Sequence, residues 1–528
     1  MIGCDVNIRR VKSNMNWFTI LFATLLTLVS SSTSAVGAAF HWTLDLPDAP
    51  NSSETGSNGS GDLRSPGLPW KEYFKKHTAL KKMKLGIRIE GAQSLSKNEI
   101  GPMVPASVQK VFTAAAALKY LGSDYRFENS FSGDLDPLTM TLTSPKFKIS
   151  GDPTWGHEAF EGELETTREN LNARLMKVVQ TLREKLVHRV VGPILMESLR
   201  PELLEISRPA GWREGWSLEC MAMMQTEFQA NGNCGQFRIS SISRFGWTTD
   251  GVSVPVRMRL SKSKEGSNSV RVTPMFDERG RIQEYVFSGY FSKGPLVFDL
   301  PVHQGSTWLR NLFIERIKEA GIAYDEAPRE ESKGAEFFPI HVDLSSRSMI
   351  EILQQAVQYS INGVMDRIFF EVGVQKESLD SGSWMEAMIR DLVGDESLMA
   401  GVRMEDGSGL NLFNRVRPDL VYAFLSRLRQ EPYFDELFST FAVAGKSGTL
   451  LNRATLVSSS HTYGRIHAKT GTLNGISNLA GYFLSQPGGT PEPFVVLSDS
   501  DLSAAKARPL IDGIVVNFAA QNSGKTQN

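Results

Sequence analysis

PASVQKVFTAAAALKYLG, residues 105–122, is the stretch from which the rest of the chain is read. After Pro105 it turns to Ala and Leu, strong helix formers, and Gly122 supplies a stop. On such a helix Ser107 and Lys110 lie three residues apart and share a face. Ser107 falls in the first turn, where unpaired N–H groups and the helix dipole favour developing negative charge. A serine hydroxyl is a poor nucleophile until a base takes its proton, and a lysine of lowered pKa can do that. The tetrapeptide S-x-x-K is short and also fits a capping Ser that happens to precede a Lys, so the reading depends on what else the chain carries.

Two further stretches bear on it. In SMIEILQQAVQYSINGVMDRIFFEVG, residues 348–373, the apolar spacing predicts two helical segments interrupted at Ser360-Ile361-Asn362-Gly363, with Asn and Gly suited to a turn. A hydroxyl and an amide there could relay a proton and hold a substrate amide; a plain helix–helix joint has the same composition. In HAKTGTLNGISNLAGYFL, residues 467–484, alternation, an Asn474-Gly475 turn signal and a second β-like run read as a hairpin. Lys469 and Thr470 then stand on an edge, Gly471 leaves the backbone open to a ligand, and a cation beside hydroxyls suits a carboxylate. A similar string, Lys446-Ser447-Gly448-Thr449, lacks the second strand, and Lys469 is the preferred cation.

Composition sets the frame. The 528 residues are 41% hydrophobic and 22% charged, ordinary for folded protein, and the formal net charge of −1 courts neither nucleic acid nor an acidic membrane surface. Arg9, Arg10 and Lys12 precede the apolar run 17–29 and small residues to Ala39, the order of a secretory signal peptide (1–38). No later run is long enough to span a bilayer, so no permanent membrane span is expected. Residues 39–69, rich in Ser, Gly, Asn and Pro, read as a flexible linker, and 523–528 as a disordered tail. Of three cysteines, Cys220 and Cys234 remain after the leader, an even pair in an exported chain that could bridge. Eight dispersed histidines show no H-E-x-x-H and no Ser/His/Asp arrangement, so neither metal nor cofactor is expected.

Between the first two motifs the texture changes. Residues 125–149 are strand-like, 171–187 helical, about 189–299 a series of short β-like runs, and 309–320 a helix ending at Gly321. Residues 127–338 are read as an inserted, mostly β region, flanked by the two parts of one catalytic domain, 70–126 and 339–522.

S-x-x-K, S-x-N and K-T-G in that order are the signature set of penicillin-binding proteins and serine β-lactamases. The gap from Ser107 to Ser360 is far too long for a simple β-lactamase. With SGDPTW, DGSGL, NRV, GTLLNR and AKTGTLNGISNLAGY, the chain from about Leu80 onward resembles the low-molecular-mass class C penicillin-binding proteins, the D-alanyl-D-alanine carboxypeptidase/endopeptidase family. The resemblance implies an α/β (α+β) transpeptidase fold like that of serine β-lactamases, with a large insertion. It implies Ser107 as acylated nucleophile, Lys110 as its base, Ser360 as proton shuttle and Asn362 as orienting amide. Lys469, Thr470, Gly471 and Thr472 become the substrate-binding strand, with backbone N–H groups of Ser107 and Thr472 as oxyanion hole. The partners implied are peptidoglycan stem peptides and β-lactams in the periplasm; a homodimer is compatible with the sequence. Departures are Ile361, where related enzymes often have Asp, and Lys446-Ser447, where an acidic residue before Gly is usual. A non-catalytic peptidoglycan-binding scaffold and a related β-lactamase or esterase are the rival readings.

Overall fold

Ile476–Leu484 is buried at every position, which a strand achieves only when both faces of its sheet are covered. In the computed structural model of the chain it is the third strand of an antiparallel six-stranded sheet. The order is Ala442–Val443, Ile466–Leu473, Ile476–Leu484, Pro491–Asp499, Lys84–Ile89 and Leu95–Lys97. The structure describes residues 67–161, 167–247, 251–252, 254–327, 336–378 and 382–523. The leader, nearly all of the linker and all but the first residue of the tail expected from the sequence lie outside them.

Alternation decides which side chain serves which layer. Leu479 and Phe483 point to the helix Ala504–Asn522 and the helix Trp70–Lys76, meeting Ile511, Val515, Phe518 and Tyr73. Ala480 and Tyr482 point the other way, into a layer built from the helices Gln109–Tyr120, Met349–Gln358, Asn362–Gln375, Ser383–Val393, Pro418–Leu428 and Phe434–Ser439. Gln109–Tyr120 is the centre of that layer: Val111, Phe112 and Ala114–Leu118 are all buried, as expected of a helix apolar all round. Its alanines let the surrounding helices come close. Gly122, at φ 88°, ends it with its N–H on the Ala117 carbonyl.

The chain between 127 and 344 builds a second core around Phe131, Phe147, Trp155 and Phe313. Its main sheet runs Ala323–Asp325, Arg189–Val191, Thr141–Ile149, Ser130–Asp136 and Phe338–Asp343, with Leu195–Ser198 beside Thr141–Ile149. The helices Thr167–Glu184 and Gly305–Glu319 accompany it, and two three-stranded sheets lie within residues 234–301. Phe338–Asp343 pairs with Ser130–Asp136, so the chain is part of this sheet as far as Asp343.

A buried ion cluster ties this region to the helix Asn362–Gln375. Arg367, wholly buried, donates to the Ser150 and Gly151 carbonyls (2.6 and 2.9 Å) and to Glu371 (2.7 Å). Burial alone would raise the Glu371 carboxyl, but Arg367, Arg200 and the Tyr125 hydroxyl hold it down at about 2. The S-G-D-P-T-W turn is thereby clasped to the helix that begins at Asn362. The sulfurs of Cys220 and Cys234 are bonded.

Candidate active site

Ser107 does not sit in the α-helix. Ala106–Val108 form a 3-10 turn and the α-helix begins at Gln109. The turn opens on Ala106 at φ 47°, a left-handed conformation that a residue with a Cβ adopts only where its surroundings enforce it. Here they do. The buried Asn478 amide, on the central strand, donates to the Val104 and Pro105 carbonyls (3.0 and 2.9 Å). Gly471 and Gly409 pack on the same turn: a Cβ on Gly471 would stand 2.6 Å from the Pro105 oxygen, and one on Gly409 would strike the Ala106 carbonyl. The absent side chain of Gly471 therefore makes room for the Ser107 turn.

From the helix, Lys110 reaches back to Ser107. Its Nζ, fully buried, donates to Ser107 Oγ (3.0 Å), Asn362 Oδ1 (2.7 Å) and the Ser408 carbonyl (2.7 Å). Burial holds this lysine below its ordinary pKa, against the opposing pull of Asp366 and Asp406. A second fully buried lysine lies across the site: Lys469 Nζ donates to Ser360 Oγ (2.9 Å) and the Thr470 carbonyl (3.0 Å). Burial, then Lys110 and Arg453, push it well below the usual range.

Ser360 and Asn362 join the two lysines. The helix Met349–Gln358 opens on a Ser348/Glu351 capping box, and the next helix starts at Asn362. The left-handed residue in the joint is Ser360, at φ 61°, not the Asn362-Gly363 pair that composition favoured. That strain aims the Ser360 hydroxyl at Lys469. Asn362 spends its carbonyl on Lys110 and its NH2 on the Met221 carbonyl of the inserted region (3.1 Å). Thr470 Oγ1 donates to Thr449 Oγ1 (3.1 Å), so the second K-S-G-T string contributes its threonine. Thr472 is half-buried and paired with Ser477.

The loop 406–410, DGSGL, closes the site from below. Asp406 folds it, accepting from the Gly409 and Asn411 amides (2.7 and 2.6 Å), Asn414 (2.9 Å) and the Trp212 indole (3.3 Å). Asp366 Oδ1 accepts from the Gly407 and Ser408 amides (3.1 and 2.7 Å). Sequence reading did not single out Asp366, Ser408, Asn478 or Thr449 as site residues. Asp366 stands one turn after Asn362 on the same helix face, a spacing from which it could have been found.

The structure thus brings Ser107, Lys110 and Asn362 into one hydrogen-bonded group and Ser360, Lys469 and Thr470 into a second, the two joined through the chain at 360–362. The model of the D-Ala-D-Ala carboxypeptidase 3 (S13) family matches residues 72–521. The chain belongs to that family. It is a serine peptidase of the D-Ala-D-Ala carboxypeptidase type, acting on peptidoglycan peptides. Among curated relatives it is 24% identical over 456 residues to a D-alanyl-D-alanine carboxypeptidase of Actinomadura sp., covering 81% of this chain and 79% of the relative. It is 22% identical over 432 residues to the D-alanyl-D-alanine carboxypeptidase DacB of Haemophilus influenzae, covering 78% and 84%. The fold is similar to the crystal structure of penicillin binding protein 4 from Haemophilus influenzae, at TM-score 0.61 and 19% identity over 84% of this chain and 96% of that one. A second structure of that protein, complexed with a β-lactam, matches at TM-score 0.59 and 18% identity over 84% and 95%.

Proposed function

We propose that this S13 enzyme works through an acyl-enzyme on Ser107, as a D-alanyl-D-alanine carboxypeptidase or endopeptidase on peptidoglycan stem peptides, and that β-lactams acylate the same oxygen. The observation that carries this reading is Lys110 Nζ, buried and 3.0 Å from Ser107 Oγ. A lysine kept out of water is the more readily neutral, and neutral it accepts the hydroxyl proton. Ser107 Oγ then bonds to the carbonyl carbon of the penultimate D-alanine, and the backbone N–H groups of Ser107 and Thr472 receive the charge on oxygen. As the C–N bond breaks, Ser360 passes a proton from the lysine pair to the leaving amine. Water, deprotonated in turn, releases the acyl group and restores the serine. Asn362 holds Lys110 through its carbonyl and offers the second N–H of its NH2 group to the substrate amide, while Lys469, Thr470 and Thr472 meet the terminal carboxylate.

The order of basic, apolar and small residues over 9–39 and the Cys220–Cys234 bridge support export to the periplasm, where peptidoglycan lies. The test is the intact mass of the protein after incubation with a penicillin, for the unsubstituted chain and Ser107→Ala. One stable adduct on the first and none on the second is the expected result, followed by D-alanine release from a pentapeptide. A folded protein that takes up no penicillin refutes the reading.

A further inference from the structure

Four ionisable groups are sealed under the Ser107 turn: Lys110 and Lys469 at 0% exposure, Asp406 at 5% and Asp366 at 8%. An uncompensated charge at such depth is costly, so each must be balanced by the others or by hydrogen bonds. Asp406 is fully engaged by its own loop and Trp212. Asp366 is not. Its Oδ1 takes the Gly407 and Ser408 amides, while Oδ2 is buried with no hydrogen-bond partner among the described residues. A carboxylate half unsatisfied beside a lysine base is the least explained group in the site.

The Ser408 peptide connects the two. Its N–H donates to Asp366 and its carbonyl accepts from Lys110, both at 2.7 Å. Gly407 lets this peptide lie against the helix that carries Asp366, since a Cβ there would strike the Met365 carbonyl. We propose that Asp366 is a positioning residue for Lys110: its carboxyl group anchors the Ser408 peptide whose carbonyl holds the lysine, and its charge biases the lysine toward the protonated form. The inference rests on Lys110 acting as base for Ser107. The groups that face the pair are Ser107, Asn362 and the Ser408 carbonyl on Lys110, Asp406 near both, and Lys469 across the site. Burial and Asp406 press Asp366 toward its neutral form, and Lys110 opposes them.

Asp366→Asn separates charge from shape, because the amide oxygen still accepts from Gly407 and Ser408. The rate of acylation by a penicillin, followed by mass against pH, reads Lys110. Without the negative charge the lysine loses its proton more easily, and the midpoint of the rise moves to lower pH by about one unit. Asp366→Ala removes the anchor as well, and the plateau rate falls about 10-fold or more as Lys110 shifts. A folded Asn variant with the unsubstituted midpoint overturns the proposal. Should the variant not fold, carboxyl-13C and lysine-15N titration of the unsubstituted protein decides. One buried carboxyl changing in step with Lys110 Nζ supports the pairing, and a carboxyl indifferent to Lys110 overturns it. An unsubstituted protein that forms no adduct instead removes the acyl-enzyme reading on which the proposal stands.

Discussion

Gly471 lies against Pro105 so closely that a Cβ would come within 2.6 Å of the proline carbonyl oxygen. Strand and nucleophile turn are pressed together at the one residue between Thr470 and Thr472 that has no side chain. Gly471→Ala has the space of a methyl group to find, and the atom it would press hardest is the Pro105 oxygen, beside the left-handed Ala106. We expect a folded protein whose acylation by penicillin is slowed about 100-fold, since small displacements of reacting groups are that costly. Acylation at the unsubstituted rate shows that the turn tolerates the shift.

Lys110→Met leaves the hydrophobic part of the side chain and removes the base. Acylation of Ser107 should fall by about 10²–10⁴-fold, the range of general-base catalysis, with the fold retained by circular dichroism. In the proposed mechanism Lys110 works unprotonated, and burial holds its pKa below the ordinary 10.5. The rate should therefore climb with pH and level off before that value. A flat profile over pH 6–10 argues for a different base.

Cys220 and Cys234 close a loop of sequence separation 14, and the Met221 carbonyl at its start accepts from Asn362. Opening a loop of this length gives back about 3 kcal/mol of chain entropy to the unfolded state. Replacing both cysteines by serine should lower stability by about that amount in denaturant titration. Acylation should slow several-fold as well, because Asn362 loses a fixed acceptor. An unchanged rate alongside lowered stability confines the bridge to the inserted region.

His303 predicts a pH dependence of stability. It is 8% exposed, and its Nδ1 accepts from the Ile282 amide (2.9 Å), which requires the neutral ring. Burial, with Arg281 and Arg208 opposing a second positive charge against the pull of Asp277, takes its pKa down to about 4. The folded value is depressed, so the unfolded chain binds the proton first. The contribution is complete above the unfolded value near 6.5 and is lost as pH falls toward 4. By pH 5 this amounts to about 2 kcal/mol. His303→Gln should flatten the fall in melting temperature between pH 6.5 and 5; an equally steep fall in the variant assigns it to other groups.

Helix Gln109–Tyr120 was legible because its composition is helical everywhere and Gly122 stops it. The hairpin 466–484 was legible from the Asn474-Gly475 turn between two β-like runs. Ser107, Lys110, Ser360, Asn362 and Lys469 were picked out as three short motifs in order. The left-handed Ser360 was not legible: Asn and Gly are the better local choices, and only the packing of the two flanking helices on the helix Gln109–Tyr120 overrides that preference.

By itself the sequence determined the local elements, the order of the motifs and the family, since each of these depends on residue types within a few positions. Tertiary structure decided which way Gly471 faces, that Thr449 meets Thr470, that Met221 supports Asn362, and that Asp366 shares the burial of Lys110. Those relations join residues distant in the chain. Desolvation and close contact act through space, so the depth of a lysine and the identity of its counter-charge appear only once the two faces of the sheet have been covered.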